Sequence, residues 1–253
     1  WPRIESIVKH YRTGTAYGIG VDPTDGLIHA GQHGMQLTWM DAKVGNRVIT
    51  PRIGKPVEIN ALWFRALKTA ACLARHLGHD HAAFESQVET TRSGFQRFCN
   101  QETNCLYDVL DGPTGDDASI RPNQLLAIAE APDLLAHEVA RDALDVVTRE
   151  LFVPMGMRTL ERGAPAFSGR YEGGPESRDG AYHQGTAWPW LLGPFMAAQE
   201  AVHGNEGERT QTIRKKILRQ AESHLGVAGI GSVSEILDAL APNTPRGCIA
   251  QAW

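Results

Sequence analysis

Long apolar runs are missing from this chain of 253 residues. No stretch of 18 apolar residues is available to span a bilayer, and no charged-then-apolar segment opens the chain, so the expectation is a cytoplasmic protein without membrane contact. Cysteine is scarce. Cys72, Cys99, Cys105 and Cys248 never fall into C-x-x-C spacing, which removes zinc-ribbon and thioredoxin-type motifs and leaves reduced thiols as the expectation, with Cys248 read as buried packing. No Asn-x-Ser/Thr acceptor occurs. Positive charge is not in excess: 25 basic against 29 acidic residues give a net charge of −4, which disfavours a nucleic-acid partner held by phosphate neutralisation. No internal repeat of about 20–50 residues is visible, which argues against ordinary helical solenoids.

What the chain does contain is helical periodicity. Ile4, Ile7, Val8 and Tyr11 form a short stripe. Ile59, Leu62, Trp63, Ala66, Leu67, Ala70, Leu73, Ala74 and Leu77 form a long one at helical spacing, opened by Pro56 and Glu58. Further stripes run through Phe84–Phe98, Leu125–Ile128, Val139–Leu151, Leu191–Val202 and Ile213–Leu225, with Asp80 placed to cap the first of these. Strand signals are confined to Tyr17–Val21 and Leu106–Leu110, so the fold class expected is all-α. Opening on Trp1 and closing on Gln251-Ala252-Trp253, where a further helix would begin, the sequence reads as part of a longer chain.

Between the stripes, connections alternate in length. Long ones cover about 14–57, 100–120, 152–184 and 226–247; short ones lie near 78–80, 132–136 and 204–207. Successive antiparallel helices place alternate connections at the same end, so the long loops should share one rim of a helical toroid.

Two acids fall in those long loops. Asp41 follows Trp39 in Gln36-Leu37-Thr38-Trp39-Met40-Asp41-Ala42-Lys43, and Glu235 stands in Ser234-Glu235-Ile236-Leu237. Glycoside hydrolysis needs such a pair, one carboxyl protonated for the departing oxygen and the other ionised against water on the opposite face of the sugar. Taken singly, each acid is as well explained as a cap or a local ion pair, Asp41 with Lys43 for example. Trp39, Trp188 and Trp190 offer flat faces for sugars, whereas Trp63 sits on a helical stripe and reads as core. Glu58 is as readily a helix N-terminal charge as a cavity residue, with Asn60 beside it. The run 170–190 is the densest in polar and aromatic groups, including Asp179, Tyr182, His183, Gln184 and Trp188. His76, His79, Asp80 and His81 fall on a short turn of the opposite rim and read as solvated, so neither a metal nor a cofactor is expected.

Five segments carry a resemblance: Gln36–Gly45, Thr50–Trp63, Ser119–Gln124 (with Arg121 and Asn123), Tyr182–Gly185 and Pro245–Trp253. In this order they resemble the amylo-α-1,6-glucosidase domain of glycogen debranching enzymes, collinearly from about residue 15 onward. The resemblance implies an (α/α)6 barrel of which residues 1–253 are the C-terminal portion in a single domain, its N-terminal helices lying upstream. It implies inverting removal of α-1,6-linked glucose from glycogen or a branched α-glucan. By motif position Asp41 matches the general acid and Glu235 the general base. Trp39, Lys43, Glu58, Asn60, Arg121, Asn123, Asp179, Tyr182, His183, Gln184 and Trp188 are the expected substrate contacts. The alternatives are another (α/α)6 glycosidase of glucoamylase or trehalase type, and a glucan-binding fragment without catalysis.

Overall fold

A computed structural model describes residues 1–251. Eight α-helices occur among them: α1 (Pro2–Thr13), α2 (Val57–His76), α3 (Ala82–Phe95), α4 (Gln124–Glu130), α5 (His137–Leu151), α6 (Pro175–Ala181), α7 (Leu192–His203) and α8 (Glu208–Leu225). The long stripe becomes α2, which turns Val57, Ala61, Phe64, Leu67, Ala71 and Ala74 inward and ends where Gly78 adopts φ 72°. Asp80 accepts the Ala82 N–H at 3.0 Å and starts α3. Helices α2, α4 and α7 touch in series, with α3 packed on α2, α5 on α4 and α7, and α8 on α7. Their shared core includes Phe64, Leu67, Leu125, Ile128 and Phe195, all fully buried, and each such side chain contributes about 1.5–3 kcal/mol through burial. Trp63 is core, as its stripe predicts, with its indole N–H on the Gly26 carbonyl at 3.2 Å. In α8 only Thr210 and His224 are buried, which leaves most of that helix partly or wholly facing water.

The all-α expectation needs correction. Among the described residues the helices are joined by short strands, most of two residues and none longer than four. Segments that short cannot display the alternation by which a strand is read from sequence. Of Tyr17–Val21 only Gly20–Val21 is extended, and Leu106–Leu110 divides between Cys105–Leu106 and Val109–Gly112. The short helix α6 was hidden within a run read as loop, although Gly174-Pro175-Glu176 is a helix start.

These strands tie the long connections together. Lys55–Pro56 pairs with Val109–Gly112, linking the first long loop to the second. Phe152–Val153, Gly156–Arg158, Ala187–Trp188, Ile236–Leu237 and Pro245–Arg246 form one antiparallel meander, linking the third to the fourth. Ala42 reaches His183 across the two sets. The long loops therefore meet, while 77–81, 131–136 and 204–207 remain short turns. The further helix expected to start at Gln251-Ala252-Trp253 falls mainly on Ala252 and Trp253, which lie outside the described residues.

Candidate active site

Asp41 stands at the foot of a hairpin in which Lys43–Val44 pairs with Arg47–Val48, turned by Gly45 at φ 56°. Trp39, just before it, is held by a hydrogen bond from its indole N–H to Asn123 Oδ1 at 2.7 Å and by edge contacts to Trp188 and Trp190 at 5.6 and 5.0 Å. Lys43 turns its ammonium to the Gly34 carbonyl at 3.0 Å. Asp41 as a residue is exposed, yet the surrounding loop strips enough water from its carboxyl to push the pKa up, against an opposing hydrogen bond from its own backbone. A carboxyl of this kind retains its proton to higher pH than an ordinary aspartate.

Glu235 lies in the meander just before Ile236–Leu237. The Tyr182 hydroxyl donates to its Oε1, and the Cys248 N–H donates to its Oε2 at 2.8 Å. Gly247, at φ 68°, lets the backbone pass this close, since a Cβ there would meet Glu235 Oε2 at 2.5 Å. Two donors aimed at the two oxygens suit an ionised carboxylate. The group forms part of the wall of an open cavity of about 780 Å³ shared with Tyr171, Arg178, Tyr182, Arg246 and Cys248. Cys248 is exposed, which corrects its reading as packing: its role is carried by the backbone N–H.

His183 joins the two halves. Its Nδ1 accepts the Ala42 N–H at 3.4 Å, its ring stacks on Trp188 at 5.2 Å and 15°, and it abuts Tyr182 at 4.8 Å. Burial, with Arg121 nearby, pushes its pKa down to about 3, so it is neutral across the working range. Asp41 and Glu235 are thus connected through Ala42, His183 and Tyr182.

Several expected sugar contacts have other work. Trp188 is fully buried beneath His183 and Trp39, so it offers no face to a ligand. Asn60 spends its amide on the Ile28 backbone N–H and carbonyl and on the Pro56 carbonyl, pinning the first long loop to α2. Glu58 receives the Arg52 guanidinium on both oxygens, and Arg52 also binds Asp108 at 2.7 Å. Asn123 bridges Asp108 and Trp39. Arg121 donates to the carbonyls of Thr159 and His183 and to Gln184 Oε1, and Gln184 reaches Thr50 Oγ1 and the Ile49 carbonyl. These buried groups, like the fully buried His183, hold the loops rather than face open space, and most of their polar atoms find hydrogen-bond partners among the described residues, Arg121 Nε and His183 Nε2 being the exceptions. Trp39, Lys43, Asp179 and Tyr182 keep partial exposure. Arg52 and Asp108 were not singled out from sequence: Arg52 lay inside a quoted motif, but nothing local marks a pairing between loops. Asp238 was missed as well; it is fully buried, takes the Arg246 guanidinium at 3.1 Å and fixes the end of the meander.

At the opposite end of the helices, His79 stacks on Trp1 at 5.1 Å and His81 lies 3.8 Å from Glu85. Among the described residues no three His, Cys, Asp or Glu side chains converge to hold a metal.

A helical frame carrying a cavity-lining carboxylate and a second, partly desolvated acid suits a glycoside hydrolase. The family described as amylo-alpha-1,6-glucosidase matches residues 1–253, and the chain belongs to it. The glycogen debranching enzyme of Saccharomyces cerevisiae is 30% identical over 245 residues, taking in 78% of this chain and 16% of that enzyme. The chain thus spans only a small part of that relative. Among solved structures, a GH63 mannosylglycerate hydrolase from Thermus thermophilus aligns with TM-score 0.56 at 16% identity, covering 76% of this chain and 42% of its own. A structure described as a sialidase aligns with TM-score 0.69 at 14% identity over 95% of this chain and 21% of its own. At these identities the structural likeness concerns the fold.

Proposed function

We propose that this chain is the C-terminal part of an (α/α)6 glucosidase domain that removes α-1,6-linked glucose from the trimmed branch points of glycogen or a related α-glucan by an inverting mechanism. The observation that carries this reading is the contrast between the two carboxyls: Asp41 is pushed toward its protonated form, and Glu235 is presented to a cavity with a donor on each oxygen. Pairs of acids whose surroundings differ in this way divide acid from base work. Asp41 gives its proton to the glycosidic oxygen as the bond breaks. Glu235 takes a proton from water as that water attacks the anomeric carbon from the other face, which requires the carboxyls to stand about 6.5–9.5 Å apart. Trp39, Lys43 and Asp179, partly exposed in the same loop set, are the side chains proposed to meet the sugar. The alternating connections and the contacts between successive helices support the toroid reading, in which the long loops would share one rim.

The experiment is glucose release from limit dextrin by the complete protein. Asp41→Asn should lower turnover by about a thousandfold or more, and α-glucosyl fluoride, whose leaving group needs little protonation, should restore most of it. Preference for α-1,4 oligosaccharides or trehalose would select another glycosidase, and glycogen binding without glucose release would make the chain a glucan-binding module.

A further inference from the structure

We propose that Tyr182 is a positioning residue for the general base, holding the Glu235 carboxylate in the orientation from which it takes the proton of water. This rests on the reading of Glu235 as base. The geometry stands on several contacts. The Tyr182 ring is confined by Trp188 at 4.8 Å and 63°, by Tyr171 at 5.5 Å and by His183 at 4.8 Å. Its backbone is fixed as well, because the Tyr182 carbonyl accepts the Thr186 hydroxyl at 2.6 Å and the Trp188 indole N–H at 3.0 Å. With ring and backbone both held, the hydroxyl is directed at Glu235 Oε1. Burial and the neighbouring carboxylate push the phenol pKa up, so it remains a donor throughout the pH range in which enzymes work. From the other side the Cys248 N–H holds Oε2, and Gly247 admits that backbone where any side chain would displace the carboxylate.

A carboxylate clamped through both oxygens cannot rotate, and rotation is what a base approaching a small water molecule must avoid. The hydroxyl makes this contribution without being consumed: it donates a hydrogen bond and keeps its proton. A phenylalanine would fill the same aromatic nest, so the hydroxyl is separable from packing. Other titratable or charged groups around the Glu235 carboxyl are Tyr171, Glu172 and Arg178 from α6 and the loop before it, Arg246 from the last strand and Cys248 just after it. Tyr182→Phe leaves all of them in place.

The test is Tyr182→Phe in the complete protein, assayed across pH on limit dextrin and on α-glucosyl fluoride. We expect kcat to fall about 10- to 100-fold on both substrates, KM to stay within about twofold, and the acidic limb of kcat/KM to move to higher pH, because a donor to the ionised carboxylate is lost. An unchanged kcat and acidic limb would overturn the assignment and leave Tyr182 as a wall. So would a loss confined to limit dextrin, which would place Tyr182 on the acid's side. Should the unmodified protein release no glucose from either substrate, the hydrolase reading falls. A carbon-13 NMR titration of Glu235 then decides the contact alone: a midpoint raised by Tyr182→Phe upholds it, and identical midpoints remove it.

Discussion

Glu58 and Glu235 are both buried glutamates, one in the first turn of α2 and one in a long connection, and the structure treats them in opposite ways. Glu58 places both oxygens on the guanidinium of Arg52, which in turn binds Asp108, and the trio lies closed between α2 and the second long loop. Glu235 receives a phenol hydroxyl and a backbone N–H and lines an open cavity. A buried charge locked on a counter-charge holds a fold together once formed. One oriented by neutral donors at a cavity wall remains able to exchange protons. Residue type and depth of burial do not separate these roles; the chemistry of the partner does.

Exchanging each group breaks the comparison if it is wrong. Glu235→Gln should abolish turnover by about a thousandfold or more while thermal unfolding stays within a few degrees of the parent, since the amide keeps the shape of the site. Arg52→Met should do the reverse. Stranding the Glu58 and Asp108 carboxylates in the interior should cost about 3–5 kcal/mol, read as a lower urea midpoint with unchanged slope. A small loss there would mean that the cluster relaxes into water.

A third cluster sharpens the point at the surface. The buried Lys55 ammonium meets Asp22 at 2.8 Å, Asp25 at 2.7 Å and Asp111 at 2.8 Å, and Arg97 joins Asp25 and Asp111. Hydrogen bonds from Lys55 hold Asp22 below its usual pKa, and those from Arg97 and then Lys55 lower Asp111 to about 2. For a depressed carboxylate the stabilisation is complete above the unfolded value of about 3.9 and is lost as pH falls through the folded one. Urea midpoints of the parent should therefore drop between about pH 4 and pH 2, and Lys55→Met should flatten that slope. An equally steep decline in the variant would assign acid sensitivity to other groups.

The smallest effect concerns Asp41. A carboxyl with a raised pKa is less comfortable ionised in the folded state, so Asp41→Asn should raise Tm slightly at neutral pH and by less at pH 4, where the acid is already partly protonated. A lower Tm at both pH values would mean that Asp41 serves the fold.

Much of this layout was legible in the sequence, and the reasons are local. Apolar stripes give helices, the gaps between them give loop lengths, and their alternation put Asp41 and Glu235 in connections that meet. The polar run through Tyr182 and His183 lies between the two acids, His183 accepting from Ala42 and Tyr182 donating to Glu235. What could not be read was the direction each polar group faces. Asn60 and Gln184 carry the donors and acceptors a sugar would use, and the backbone of a neighbouring loop uses them instead. Trp188 looks like a stacking platform until Trp39 and His183 are seen to cover it. Arg52 and Asp108 lie in different loops, and a pairing across such a distance leaves no trace in spacing.

The central claim is that Asp41 and Glu235 act from opposite faces of one sugar, and the anomer released tests it most directly. Proton NMR recorded in the first minutes of limit-dextrin hydrolysis by the complete protein should show β-glucose appearing before mutarotation supplies the α form, with the signal absent in Glu235→Gln. Initial release of α-glucose would mean that the configuration is retained, and would contradict the assignment of Glu235 as the base that activates water.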